Sequence, residues 1–223
     1  MSAVDRGPRI TVLAGVNGAG KSSLLGALLR ERKQDYYNPD EETARILAAH
    51  PQLAREQANA LAWHLGREAL ERAITERRAY AFETTLAGRT IPALLHDAAA
   101  AGLEVFIWYV GLDGPERHVA RVRSRVSRGG HSIPDETIRD RYDRSRDNLI
   151  ELMPVLSALS LFDNTLEADP FEGKQPNPRL LLFFESRRIV RPDRETLATS
   201  TPAWARSIVA TALRLALTPH AGG

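Results

Sequence analysis

Eight residues near the start of the chain, Gly15-Val16-Asn17-Gly18-Ala19-Gly20-Lys21-Ser22, carry a spacing that suits the binding of a polyphosphate. Glycines let the backbone bend tightly, so that successive N–H groups point at one anion. In the pattern Gly, four residues, Gly-Lys-Ser/Thr, the lysine reaches the β- and γ-phosphates and the hydroxyl sits on Mg²⁺. Gly15, Asn17, Gly18, Ala19, Gly20, Lys21, Ser22 and Ser23 are the expected nucleotide-binding residues, with Lys21 also catalytic and Ser22 the metal ligand. ATP and Mg²⁺ are the implied cofactors.

The pattern needs a strand before it and a helix after it. The β-branched run at 10–14 supplies the strand, and the Leu-rich run at 21–33 the helix, whose positive N-terminal end faces the same anion. Two acidic positions then fall where an acceptor would lie. Asp40 follows a short strand at 34–38 that Pro39 stops. Glu83 and Thr84 close another strand at 79–84. Ligands gather at the C-terminal ends of parallel strands. Phosphoryl transfer needs a carboxylate within reach of the acceptor hydroxyl. Asp40 is therefore read as the base; its competing role is a helix cap for 41–49. Glu83 and Thr84 are read as substrate-binding, with a water-mediated bond to Mg²⁺ an alternative for Glu83.

A third group is basic: Arg121, Arg123, Arg125, Arg128, Arg139, Arg141, Arg144 and Arg146. On a helix Arg121, Arg125 and Arg128 share one face, as do Arg141 and Arg144 on the next. The polar link 127–134 joins the two, so the stretch 121–146 reads as a lid whose arginines meet phosphate oxygens. Acidic neighbours such as Glu116, Asp135, Asp140 and Asp143 imply that several of the eight are surface pairs instead. His131 in the link is a candidate substrate contact or a surface histidine.

Around these residues the chain alternates strand and helix. Helices are expected at 41–49, 53–78, 90–101 (closed by Gly102), from Gly114-Pro115 onward and at 135–151 with Asp135 as cap. Trp63 and His64 read as packing or surface residues. The apolar run 103–110 is the strongest strand and 159–164 a fifth, while 180–184 with 188–190 forms a hairpin and 202–217 a terminal helix. The result is an α/β three-layer sandwich with a mostly parallel sheet, a helical lid at about 121–146, and a C-terminal hairpin and helix at about 179–217, all in one domain over 1–223.

Composition narrows the function classes. The chain has 223 residues, 43% of them hydrophobic, and 30 basic residues nearly balance 28 acidic ones for a net charge of +2. No basic tract tracks a nucleic-acid backbone, and no apolar run reaches the roughly 20 residues of a membrane span. Cysteine is absent, which removes disulfides and thiolate zinc sites and suits a cytoplasmic protein. No Asn-Lys-x-Asp stretch reads guanine, so ATP is the expected donor. Phe162-Asp163-Asn164 closes the fifth strand, where it would sit by the nucleoside base or cap the sheet.

Several of these stretches together resemble the zeta-toxin-like family of P-loop kinases: 14–23, Asn38-Pro39-Asp40-Glu41, Glu83-Thr84-Thr85-Leu86-Ala87-Gly88, Gly129-Gly130-His131-Ser132-Ile133-Pro134 and Phe162-Asp163-Asn164. The resemblance implies a P-loop NTPase fold with a nucleoside- or adenylate-kinase-like lid. It implies an ATP-dependent kinase acting on a hydroxyl of a small molecule, a UDP-N-acetylsugar being the first candidate. Asp40 matches the family's base and Glu83 its acceptor-associated acid. Arg125, Arg128 and Arg141 are the nearest matches to lid arginines, Arg128 and Arg141 as catalytic and Arg125 as nucleotide-binding. A toxin module acting through an antitoxin protein, and a kinase for a nucleoside or an antibiotic, are the alternatives. Neither a nucleic-acid nor a membrane partner is implied.

Overall fold

The computed structural model describes residues 8–22, 36–166 and 178–218. Seven strands among them form one sheet in the order β2-β3-β1-β4-β5-β6-β7. They are β1 (Arg9–Ala14), β2 (Tyr36–Tyr37), β3 (Tyr80–Thr84), β4 (Glu104–Gly111), β5 (Ala158–Asp163), β6 (Arg179–Glu185) and β7 (Arg188–Arg191). The first five pair in parallel, and the terminal hairpin adds β6 and β7 antiparallel at one edge. Central β1 is flanked by β3 and β4; the chain leaves β1 toward β2 on one side and leaves β4 toward β5 on the other. The loop after β1 thus opens at the switch point where such sheets bind ligands.

The sheet is held by apolar side chains packed from several elements. Ile10, Val12 and Ala14 of β1 join Val105, Ile107 and Tyr109 of β4, with Leu159 and Leu161 of β5, in one buried cluster. The helices closing it are α2 (Arg55–Thr75), α3 (Thr90–Ala100), α5 (Asp135–Leu152) and α7 (Arg206–Leu217), which contribute Leu70, Leu95, Leu149 and Ile208. Helices α1 (Pro39–Ala49), α4 (Pro115–Val126) and α6 (Arg194–Ser200), with a 3₁₀ turn at Met153–Val155, are also among the described elements. A separate apolar cluster joins Val16 of the phosphate loop to Val119 and Val122 of α4 and Ile138 of α5. Helices α4 and α5 therefore pack directly on the phosphate loop.

Several expectations need correction. Asn38, not Asp40, caps α1: its side chain accepts from the amides of Asp40 at 2.9 Å and Glu41 at 3.4 Å, and Pro39 begins the helix. Pro134 occupies the cap of α5, and Asp135 instead sits in its first turn, paired with Arg123. Helix α6 was not expected; its Asp193 cap accepts from Thr196 N at 2.8 Å. The predicted 202–217 helix divides into a 3₁₀ turn, Ala203–Ala205, and α7. Most of the predicted 21–33 helix, Ser23 included, and residues 34–35 lie outside the described residues.

Gly111 ends β4 against the indole of Trp204, which is buried. A Cβ there would stand 2.3 Å from the ring, so Gly111→Ala must displace a packed tryptophan. Overpacking of this kind costs about 1–3 kcal/mol, which in a chain of this size lowers the melting temperature by roughly 3–10 °C. Gly88→Ala, where a Cβ meets nothing within 4 Å, is the control for calorimetry and should leave the transition in place.

Candidate active site

The phosphate loop has the backbone its glycines permit. Gly15, Gly18 and Gly20 have φ of 141°, 81° and 90°. A Cβ at Gly15 would lie 2.2 Å from the Val110 carbonyl oxygen, so no other residue fits there without moving β4. The loop's carbonyls are tied back to the protein. The Lys21 ammonium donates to Gly15 O at 2.7 Å and Val16 O at 3.4 Å, and the Ala19 amide also donates to Val16 O at 3.0 Å. His118 Nδ1 lies 2.9 Å from Asn17 O, and Asn164 Nδ2 donates to Ala19 O at 2.8 Å. A carbonyl can only accept, so His118 carries its proton on Nδ1.

Glu83 collects the ends of three strands. Its carboxylate lies 3.4 Å from Lys21 Nζ and accepts from Ser22 Oγ at 2.8 Å, Asn38 Nδ2 at 3.4 Å and the Tyr36 hydroxyl. Lys21 is 6% exposed, and an ammonium so buried needs such a partner. Expected as a substrate contact, Glu83 stands against the loop's own hydroxyl and ammonium. That donor set of hydroxyl and carboxylate oxygens fits a hard divalent cation held mainly by phosphates. No group of three or more His, Asp or Glu among the described residues could hold a metal without them.

The backbone beyond Glu83 is held by α5. Leu86 is fully buried with φ of +59°, a left-handed conformation that costs a leucine about 1–2 kcal/mol. Thr84 Oγ1 accepts from Leu86 N at 3.0 Å. Ser145 Oγ donates to Thr85 O at 2.6 Å, and Asn148 Nδ2 donates to Leu86 O at 2.7 Å and Gly88 O at 2.9 Å. The sequence reading missed Ser145 and Asn148, as it missed His118.

Lys21, Asp40, Glu83, Thr84, His131 and Arg141 all line one chamber of about 820 Å³. Asp40 is exposed there, and its charge acts on both His131 and Arg141. Burial pushes the His131 imidazole below its ordinary pKa, with Asp40 opposing. Trp63, read as packing or surface, is 42% exposed on the chamber wall formed by α2.

The eight arginines divide. Arg141 donates to Asn17 Oδ1 at 2.8 Å, and both it and Arg144 line the chamber. Arg121 donates to the Asn164 carbonyl at 2.7 Å, behind the loop. Arg125 and Arg128 are exposed and outside the chamber lining; α4 stops at Val126, so the predicted shared face with Arg128 does not form. Arg139 pairs with Glu116 at 2.7 Å, Arg123 with Asp135, and Arg146 with Asp143 while lying over the Tyr142 ring. Arg144 also pairs with Asp140 at 3.1 Å. Asn164, at the end of β5, holds the loop through Ala19.

The profile of the Zeta toxin family matches residues 2–155. The chain belongs to the zeta toxin family. Among proteins similar to this family member, an uncharacterized protein of Haemophilus influenzae is 30% identical over 131 residues, covering 57% of this chain and 88% of the relative. The structure is similar to that of AvrRxo1-ORF1:AvrRxo1-ORF2 with sulphate ions, with a TM-score of 0.61 at 14% identity, 88% of this chain aligned and 65% of that one. The complex with ATP gives 0.63 at 13% identity, over 98% and 67%. A structure of the PezAT toxin-antitoxin system of Streptococcus pneumoniae gives 0.55 at 11% identity, over 96% and 87%. The chain spans about two thirds of the AvrRxo1 chains it matches. At these identities the likeness is one of fold, and it agrees with the α/β architecture of a mostly parallel sheet between helices. No helix among the described residues is long and apolar enough to cross a membrane.

His118 gives the family member a pH signature. It is 1% exposed, and burial is the main cause that depresses its pKa from 6.5 to about 4. A depressed base is neutral in the fold while the unfolded chain takes up a proton, so folding stability falls as pH drops from 6.5 toward 4. Between pH 7 and pH 5 this one group should remove about 2 kcal/mol. Urea unfolding of wild type and His118→Asn at both pH values isolates it: the variant should lose that part of the pH dependence.

Proposed function

We propose that this zeta toxin family member is an ATP-dependent kinase that transfers the γ-phosphate to a hydroxyl of a small-molecule acceptor, with a UDP-N-acetylsugar as first candidate. One observation carries the reading: Asp40 lines the same chamber as Lys21, Glu83 and Arg141. A pocket serving only as a nucleotide switch has no use for a carboxylate opposite its phosphate loop. Here the acceptor oxygen attacks the γ-phosphorus, the bond to the ADP oxygen breaks, and Asp40 takes the hydroxyl proton. Lys21 and Arg141 hold the charge that spreads over the phosphoryl oxygens. Ser22, with Glu83 through water, would hold Mg²⁺, whose chemistry is to neutralise and orient the β- and γ-phosphates. His131 and Thr84 would contact the acceptor.

The chamber is larger than a small polyol needs, and the half-exposed Trp63 offers its wall a flat apolar surface. Trp63→Ala should raise the acceptor KM roughly tenfold with little change in kcat. Asp40→Asn should retain ATP affinity and lose about 10²–10⁴ in phosphotransfer. Incubation with γ-labelled ATP and a panel of UDP-sugars, nucleosides and aminoglycoside-type alcohols checks both. Wild-type turnover by Asp40→Asn would remove the base assignment, and ATP hydrolysis without a labelled product would weaken the kinase reading as a whole. A protein antitoxin is the proposed macromolecular partner, because relatives of this fold occur in the PezAT toxin-antitoxin system.

A further inference from the structure

One residue of the phosphate loop is gripped from both lid helices. Asn17 offers its backbone carbonyl to His118 Nδ1 of α4 at 2.9 Å, and its side-chain oxygen to Arg141 of α5 at 2.8 Å. Its neighbours reinforce the junction. Val16 is buried among Val119, Val122 and Ile138 of the same two helices. Gly18, at φ +81°, passes so close to α4 that a Cβ would lie 2.8 Å from the His118 carbonyl. The His118 ring is itself fixed, packed edge-on to Tyr142 of α5 with centroids 5.6 Å apart. Tyr142 in turn accepts the amide of Gly114, which caps α4, at 3.2 Å.

A carbonyl left loose in a phosphate loop is harmful. A rotated peptide at Asn17 would turn an oxygen toward the anion and take the following N–H away from it. We infer that His118 is a positioning residue that pins the Asn17 peptide, locking the anion-binding face of the loop to the lid, and that Asn17 Oδ1 keeps Arg141 beside that face. His118 touches no substrate; it acts through Asn17. The inference rests on the reading of the loop as a nucleotide site.

The test needs no acceptor. Asparagine places an N–H where imidazole has Nδ1, whereas glutamine places its amide nearer Nε2, at similar polarity. His118→Asn and His118→Gln are therefore compared with wild type by titration with a fluorescent, non-hydrolysable ATP analogue, alongside thermal unfolding. Wild type and His118→Asn should bind within about twofold of each other, and His118→Gln roughly tenfold more weakly, with the two variants melting together. Equal affinity of the two variants would overturn the inference. An independent measurement uses wild type alone: nitrogen-detected NMR should find neutral His118 protonated at Nδ1, with that proton shifting when the analogue binds. A proton on Nε2, or no shift on saturation, would also overturn it. Absence of analogue binding by wild type would instead reject the nucleotide site itself.

Discussion

A loop can present its N–H groups to an anion only if its carbonyls are satisfied elsewhere, and most of this structure near the site serves that constraint. The carbonyls of Gly15, Val16, Asn17 and Ala19 each accept from a specific donor: Lys21, the Ala19 amide, His118 and Asn164. Those donors come from the loop itself, from the lid helix α4 and from the end of β5. Each neutral bond contributes on the order of 1 kcal/mol, but their joint effect is conformational. They remove the alternatives in which an oxygen, rather than an N–H, faces the phosphate. Arg121 extends the arrangement by donating to the carbonyl of Asn164, so the residue that holds the loop is itself held.

The same constraint explains the strand order. Asn164 can reach Ala19 because β4 lies between β1 and β5 and all three run parallel. Glu83 can reach Lys21 and Ser22 because β3 is the other neighbour of β1. Tyr36 and Asn38 then join Glu83 from β2 and its exit, next along the sheet. Strand pairing thus delivers the groups that complete the site, and the αL turn at Leu86 is the strained segment that follows. Strain of that size persists where neighbours over-determine the backbone, as Ser145 and Asn148 of α5 do here.

What the sequence reveals and what it conceals follow from range. The phosphate loop is legible because Gly15, Gly20, Lys21 and Ser22 act at fixed local spacing. The mostly parallel sheet is legible because β-branched and apolar runs alternate with helical ones. His118 meets Asn17 across 101 residues and Asn164 meets Ala19 across 145, and neither leaves a local period to read. Within their own segments they look like one more helical polar residue and a strand-end amide. The arginines mislead for a related reason. Helical spacing correctly predicts which side chains share a face, but not where the helix stops. The end of α4 at Val126 separates Arg128 from Arg121 and Arg125. Nor does spacing say which charges find acids first, as Arg139 and Arg123 do with Glu116 and Asp135.

Lys21 shows why the site needs its acid even before chemistry is considered. An ammonium 6% exposed is costly to bury without compensation. Two loop carbonyls and Glu83 supply that compensation. A polyphosphate is a stronger counterion than a single carboxylate. Under the proposed function Lys21 would exchange one anionic partner for another without crossing a state in which it is buried and unpaired. Glu83, relieved of the lysine, still has Ser22 Oγ at 2.8 Å. A carboxylate and a hydroxyl left side by side beneath a phosphate are the oxygen donors that a divalent cation accepts. The pairing that stabilises Lys21 thus also sets the donors that the proposed cation would need.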